Sequence, residues 1–264
     1  MRLVAVGGSD AGISAALRAR ELDPDCDFTV VLADAFPNFS ICGIPYHVSG
    51  EVPDWRNLAH RTHADLEATG MNLRLDTRVA AIEADEHRIV VEGGEAIDYD
   101  ALIVSTGAVP VRPPIEGLNR LGPGDGVHLL HSIGDTLELM KTLEREPMRR
   151  AVIVGAGYIG LEMAEGLRLR GLEVTQLEQL SEVLPTVDSD LGTAVHAELV
   201  HNGVDVRCGT RVEAITSGEG DEGRLAVRAV SPSGFSESFP ADVVLVVVGV
   251  RPDTALAAAA GAEL

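Results

Sequence analysis

The sequence predicts an α/β chain of two Rossmann-like three-layer domains, each with an antiparallel β insert. Three observations carry that prediction. Two glycine turns of dinucleotide-binding type occur, Gly7-Gly8-Ser9-Asp10-Ala11-Gly12 and Gly155-Ala156-Gly157-Tyr158-Ile159-Gly160. Each follows a short apolar run and opens a helix-period stretch, the setting such a turn requires. Each half then passes through alternating segments to a buried apolar run that ends in glycine, at Gly107 and at Gly249.

The elements follow in order. Leu3–Val6 reads as a strand and Gly7–Gly12 as its turn. Ile13–Leu22 reads as a helix, with Ile13, Ala16 and Leu17 on one side and Arg18, Arg20 and Glu21 largely on the other. Asp23-Pro24-Asp25 stops it. Phe28–Leu32 is a buried strand, because Val30-Val31-Leu32 is continuous rather than alternating. Leu58–Gly70 reads as helix, with Gly70 as its stop. Leu73–Ile82 and Arg88–Val91 alternate like antiparallel strands, and Gly93-Gly94 turns the chain before Ala96–Tyr99. Leu102-Ile103-Val104 is again buried strand, and Pro110, Pro113 and Pro114 then mark a domain crossover. Asp135–Arg145 is a helix leading into the second unit. Its strands are Val152–Val154 and Glu173–Leu177, joined by the helix Leu161–Arg170. Arg211–Ile215 and Leu225–Val230 flank a hairpin-type loop over residues 217–223, and Val243–Val248 is the last buried strand. The expected organisation is a first nucleotide domain over 1–112, a second over 113–244, and a return into the first over 245–264.

Composition narrows the class. A chain of 264 residues with a formal charge of −20 and a pI near 4.7 does not offer a general nucleic-acid surface. No apolar run is long enough to span a bilayer, and the start lacks the cleavage region of a signal peptide. The three cysteines, Cys26, Cys42 and Cys208, show no metal-like clustering, and His128, His131, His196 and His201 show no metal-ligand spacing. The chain reads as cytoplasmic, with reduced thiols.

In the second turn Gly155 makes the tight bend, Gly157 lets a pyrophosphate approach the backbone, and Gly160 lets helix and strand pack closely. The pyrophosphate would sit on the N–H groups of the helix start. Glu178, about twenty residues on, is placed to bond ribose hydroxyls and to repel a 2′-phosphate, so NADH is favoured over NADPH. The first turn carries Ser9 at the second glycine position, and Asp34 is its candidate ribose acid. Between the two turns lies Asn38-Phe39-Ser40-Ile41-Cys42-Gly43-Ile44-Pro45-Tyr46. Gly43 and Pro45 fix the backbone around Cys42, close behind the strand that would hold a cofactor. Cys42 is therefore read as a redox thiol and Cys26 and Cys208 as inert. His47, five residues after Cys42, reads as a loop histidine, with an acid/base role the less favoured alternative. No second cysteine stands there. Cys42 must pair with a small-molecule thiol or cycle through a sulfenic acid.

These residues, in this order, resemble the FAD-dependent pyridine nucleotide-disulfide oxidoreductases, and the single cysteine is similar to the branch of coenzyme A disulfide reductases, NADH oxidases and peroxidases, and CoA-persulfide reductases. The resemblance covers essentially the whole chain. It implies FAD on Gly7, Gly8, Ser9, Asp10, Ala11, Gly12, Asp34, Thr106 and Gly107. It implies a nicotinamide cofactor, NADH with NADPH open, on Gly155, Gly157, Tyr158, Ile159, Gly160 and Glu178, with Glu162 near the nicotinamide. Gly249, at the end of the returning strand, is a further cofactor-binding candidate.

On the same basis Cys42, Tyr46 and Asn38 are the catalytic candidates, and Ser14, Arg18 and Arg20 the substrate-binding ones, toward CoA phosphates. The sequence departs from the pattern in three places. Leu32 stands where the ribose glutamate is usual, Asn38 where serine is usual, and Glu21 where an arginine for CoA is usual. After Gly249-Val250-Arg251-Pro252 the family continues into a second FAD segment and a dimerisation domain. The chain is thus expected to be truncated before both, and the full-length protein to be a homodimer.

The activity so implied is NADH-dependent reduction of a CoA-type disulfide or persulfide through FAD and Cys42. Two alternatives stand beside it: an NADH oxidase or peroxidase that uses a sulfenic acid with oxygen or peroxide, and a nucleotide-binding fragment without catalysis.

Overall fold

The structure, a computed structural model, describes residues 1–145, 148–218 and 223–264. In chain order the elements begin with β1 (Arg2–Val6), α1 (Asp10–Leu22), β2 (Asp27–Val31), α2 (Ile44–Ser49), α3 (His63–Ala68), β3 (Asn72–Arg74), β4 (Val79–Glu83), β5 (Arg88–Val91), β6 (Ala96–Asp98), β7 (Ala101–Val104) and β8 (Ala108–Pro110). They continue with β9 (Val127–Leu129), α4 (Ile133–Leu143), β10 (Arg150–Val154), α5 (Tyr158–Leu169), β11 (Glu173–Leu177), α6 (Ser189–His201) and β12 (Val204–Arg207). The last are β13 (Arg211–Ser217), β14 (Leu225–Val230), β15 (Ser236–Ala241), β16 (Val243–Val246), β17 (Val250–Pro252) and α7 (Ala255–Ala259). By contact the chain forms two compact units. One is Met1–Ile41, Trp55–Val109 and Arg251–Leu264; the other is Cys42–Asp54 and Pro110–Val250.

The first unit is built on a parallel sheet of order β3-β2-β1-β7. Successive β1 residues point to opposite faces, and the two cores divide accordingly. Leu3 and Ala5 pack with Ile13 and Ala16 of α1, with Phe28, and with Leu66 of α3. Val4 and Val6 pack with Val79, Ile89 and Val91 of the antiparallel sheet β4-β5-β6. A strand covered on both faces has no polar side to offer, which is why Leu3–Val6 is apolar throughout. The second unit repeats the plan with a five-stranded parallel sheet, β12-β11-β10-β16-β9, and an antiparallel sheet β13-β14-β15. Val152, Val154, Val244 and Val246 meet Ile215, Val227, Ala229 and Phe239 of that insert. The predicted fold class is thereby found in both halves.

Local differences from the sequence reading have local causes. The stretch read as helix over Leu58–Gly70 is helical only at α3. Thr62 starts that helix late: its hydroxyl accepts from Asp65 N–H while the Asp65 carboxylate accepts from Thr62 N–H, a capping box. The stretch Leu73–Ile82 is not one antiparallel strand. Asn72–Arg74 pairs parallel with β2, and Asp76, at φ 48°, breaks it from β4. The helix read from Asp135 begins at Ile133, because Ser132 and Asp135 form a second capping box. Of the loop read over 217–223, residues 219–222 lie outside the described residues.

Candidate functional site

The two glycine turns have one geometry. Val6 pairs with Val31 as Val154 pairs with Leu177, so the residues after the second strands, Leu32 and Glu178, are structural equivalents. Gly7 N–H donates to Val31 O and Gly155 N–H to Leu177 O, each at 2.8 Å. Gly7 and Gly155 have φ of +113° and +107°, and a Cβ on either would meet backbone just past the neighbouring strand, Ser105 O at 2.0 Å or Val247 O at 2.7 Å. Only glycine serves there. A Cβ on Gly12 or Gly160 would stand 2.1 or 2.3 Å from the carbonyl of Gly7 or Gly155, so α1 and α5 touch the turns they leave.

The middle position is different in kind. Gly157 has ordinary extended angles, φ −74° and ψ 177°, and a Cβ on it would meet nothing within 4 Å. That open space is a cradle fit for a pyrophosphate. Ser9 has nearly the same angles, φ −83° and ψ −172°, and its side chain makes no cap bond to α1. The serine that interrupts the first motif therefore costs no backbone strain, and its hydroxyl is exposed in the place a phosphate oxygen would face.

The acids differ more. Glu178 is buried. Its Oε2 accepts from Ala156 N–H at 2.7 Å and its Oε1 from Leu180 N–H at 2.8 Å. In the first unit Leu32 takes that place, its Cδ1 only 2.8 Å from where a Gly8 Cβ would be. Asp34 is exposed, and its Oδ1 accepts from Phe36 N–H at 2.8 Å. Below the second turn, Gln176 is fully buried and donates to Gly155 O at 3.1 Å.

Asn38 is buried at φ 57°, a left-handed conformation in which asparagine is several-fold enriched. Its amide N–H₂ donates to Asp10 Oδ1 at 2.8 Å and its Oδ1 accepts from Arg61 at 3.2 Å. Its backbone N–H donates to Gly8 O at 2.8 Å. Asn38 thus clamps the first glycine turn, a role the sequence did not reveal. Thr106 Oγ1 donates to Asp253 O at 2.5 Å, and Asp253 N–H returns to Gly107 O at 2.9 Å, with Gly107 at φ +73°. Ser105, not singled out from sequence, points its hydroxyl at the carbonyls of Val6 and Gly7. Of the α1 candidates, Ser14 and Arg18 are one helical turn apart and exposed, and Arg18 pairs with Glu21 at 2.7 Å. Arg20 donates to Pro24 O and Gly70 O and so ties α1 to its surroundings.

Cys42 lies in a 3₁₀ turn, Ile41–Gly43, directly before α2, and its side chain is exposed. Helix α2 packs on α5, where Gly166 lets it close in: a Cβ there would be 3.3 Å from Pro45 O. Arg170 donates to Val48 O. His47 is buried, with Nδ1 at 2.7 Å from Val52 O, so the ring is held by backbone. Pro45, Tyr46 and Ser49 of α2 and Glu162, Glu165 and Gly166 of α5 line a shallow cleft. Desolvation in the cleft raises the Glu162 carboxyl above the usual range, and Glu165 raises it further. Cys26 is buried. Burial and the nearby Glu182 and Glu178 push the Cys208 thiol up to about 11, which keeps it protonated at neutral pH. Among the described residues no helix is long and apolar enough to cross a membrane.

Known proteins match the chain along essentially its whole length. The chain is 31% identical over 270 residues to an NADH oxidase of Methanocaldococcus jannaschii, covering 100% of this chain and 58% of that one. It is 30% identical to the NAD(P)H coenzyme A polysulfide/persulfide reductase of Pyrococcus horikoshii, over 100% of this chain and 57% of the other. The solved structure of an NAD-dependent persulfide reductase from A. fulgidus superposes with a TM-score of 0.88 at 36% identity, over 99% of this chain and 48% of that one. The chain thus spans about half the length of the relatives it matches. All 264 residues match the family model for pyridine nucleotide-disulphide oxidoreductases, and the chain belongs to that family.

Proposed function

We propose that this chain is the nucleotide-binding and thiol-bearing part of a flavin-dependent, NADH-dependent reductase of a small-molecule disulfide or persulfide of the coenzyme A type. The observation that carries the proposal is the contrast among the thiols. Cys42 is exposed, whereas Cys26 is buried and Cys208 is held as a thiol far above neutral pH.

The first turn fits FAD: Gly7 and Gly12 shape the cradle, Ser9 and the α1 start face the pyrophosphate, and Asp34 supplies the acid that Leu32 does not. The second turn fits NADH, with Glu178 on the ribose. FAD, when bound, supplies the relay that takes two electrons from the nicotinamide and passes them to sulfur. The protein does the rest. The Cys42 sulfur attacks one sulfur of the acceptor, forming a mixed disulfide and releasing the other half as thiolate. Two electrons then cleave the mixed disulfide, returning the Cys42 thiolate, and a proton completes the second thiol product. Tyr46 and Glu162 line one cleft, and Asn38 positions the first turn. Ser14 and Arg18 present one exposed face of α1 to an anionic acceptor; Arg20 is occupied elsewhere. Free cysteines suit a reducing cytosol, and the whole protein is proposed to act as a homodimer.

The test is NADH consumption by the full-length protein with CoA disulfide, a CoA persulfide, oxygen or peroxide as sole acceptor, for the native chain and Cys42→Ser. The proposal expects the sulfur acceptors to be preferred and Cys42→Ser to abolish their turnover. Preference for oxygen or peroxide would assign the oxidase or peroxidase reading instead. Undiminished disulfide turnover by Cys42→Ser would refute the mechanism.

A further inference from the structure

Three side chains from separate elements of the second unit converge away from the cleft. Glu182 lies in the loop after β11, His196 on α6 and Cys208 in the turn after β12. His196 Nδ1 stands 2.7 Å from Glu182 Oε1, and Cys208 Sγ stands 3.8 Å from each of those atoms. All three are partly buried, and their ligand atoms lie within 4.8 Å of one another. This is not a nucleophile–base–acid relay. A relay uses the two nitrogens of the imidazole in turn, whereas here sulfur and carboxylate face the same nitrogen.

One common centre satisfies all three atoms. A point just off their plane lies roughly 2.1 Å from each, close to the distances at which zinc takes imidazole nitrogen, carboxylate oxygen and thiolate sulfur. The donor set selects the metal. One sulfur, one imidazole nitrogen and one carboxylate oxygen suit a borderline ion such as Zn²⁺, while Mg²⁺ and Ca²⁺ favour all-oxygen sets. The cluster is also supported from outside. Glu182 Oε1 accepts from Val183 N–H at 2.9 Å, and Oε2 accepts from Thr193 Oγ1 at 3.3 Å, which fixes the carboxylate as an outer shell fixes a metal ligand. Gly192 of α6 makes room for it: a Cβ there would meet Val183 O at 2.9 Å and Glu182 Cγ at 3.0 Å.

We propose that Glu182, His196 and Cys208 form a three-ligand site for Zn²⁺ or a similar borderline divalent ion, with the fourth position left to water. Binding releases the Cys208 proton and moves the His196 N–H to Nε2. The ion would staple the loop after β11 to α6 and to the turn at Cys208. That turn already bonds the same loop, Gly209 N–H to Leu180 O at 2.7 Å and Thr210 N–H to Glu178 O at 2.8 Å. The site would thereby brace the segment that carries Glu178. Sequence spacing conceals the cluster, because its members are 14 and 12 residues apart and meet only through the parallel sheet.

The test is titration of Co²⁺ into metal-stripped full-chain protein, read by the thiolate-to-cobalt charge-transfer band, with Zn²⁺ as competitor. The expected result is one band saturating at one equivalent and displaced by Zn²⁺. Cys208→Ser removes the band, His196→Ala weakens affinity by roughly 100-fold or more, and Cys42→Ser leaves both unchanged. Should Cys208→Ser fail to fold, His196→Ala, at a half-buried position of α6, reads the same site. No thiolate band at saturating Co²⁺, a band lost in Cys42→Ser, or a His196→Ala variant with native affinity overturns the proposal.

Discussion

Removing the Glu178 carboxylate should damage the fold and the nucleotide site together. Glu178 holds two backbone donors, Ala156 N–H at 2.7 Å and Leu180 N–H at 2.8 Å. Ala156 is fully buried, so in Glu178→Ala its N–H is left without an acceptor, a loss of about 2 kcal/mol for a bond to a charged group. Leu180 is 46% exposed and can turn its N–H to water, so its share is about 0.5–1 kcal/mol. The second unit should lose about 3 kcal/mol in all. Glu178→Gln keeps one acceptor oxygen but aims its N–H₂ at the other donor, so it should recover no more than about half. Loss of the proposed ribose contact should weaken NADH binding by about 10- to 100-fold in both variants. The assays are urea unfolding, with hydrogen exchange assigning the loss to the second unit, and NADH titration by fluorescence. Glu178→Ala with native stability would refute the bracing role. Native NADH affinity in an otherwise folded Glu178→Ala would refute the nucleotide role.

Other expectations separate in the same way. Gly157→Ala should change stability by less than about 0.5 kcal/mol, since its Cβ meets nothing within 4 Å, yet should abolish NADH binding. Gly160→Ala places Cβ 2.3 Å from Gly155 O and should cost 3 kcal/mol or more by about the measure of an overpacked core; thermal unfolding distinguishes the pair. Asn38→Ser should destabilise the first unit by about 2 kcal/mol, from the lost amide bonds and the left-handed backbone, read by hydrogen exchange at Gly8 and Asp10. Burial lowers the pKa of His128 from 6.5 to about 4, while its Nε2 lies 3.0 Å from Thr142 Oγ1. The unfolded chain therefore binds the extra proton between those values, so this contribution is complete above pH 6.5 and falls as the pH drops toward 4. Between pH 7 and pH 5 it should fall by about 2 kcal/mol. His128→Asn should flatten that difference in urea unfolding, and an equal loss in both proteins would refute the assignment.

What was legible in the sequence was what short spacing encodes. Gly7, Gly12, Gly155 and Gly160 announce themselves because each clash they avoid is set by the turn, its helix and the adjacent strand. Glu178 is found by counting from the turn, because strand and helix lengths are fixed by the sheet. The less legible features depend on distant chain. Nothing around Asn38 shows that Asp10 and Arg61 will take both ends of its amide, or that Thr106 will spend its hydroxyl on Asp253, 147 residues away. The helix read over Leu58–Gly70 failed for a local reason: Thr62 and Asp65 offered a capping box inside an apolar pattern, and the cap prevailed over the period.

Leu32 and Glu178 occupy equivalent places in the two units. Both side chains lie beside the second residue of a glycine turn, Gly8 in one unit and Ala156 in the other. In the second unit the carboxylate braces the turn through Ala156 N–H; on the proposed function its negative charge would also disfavour a 2′-phosphate. In the first unit Leu32 braces the turn by packing and brings no charge, so the turn must be held by other means. Asn38 supplies them, through Gly8 O on one side and Asp10 on the other. Two copies of one turn thus reached the same backbone by different routes, one through a buried carboxylate, the other through a buried amide. The asymmetry has a chemical consequence. On the proposed function, nucleotide selection in the second unit would rest on a single carboxylate and follow one substitution, whereas in the first unit the acid would be the exposed Asp34, and holding the turn and contacting the ribose would be separate tasks.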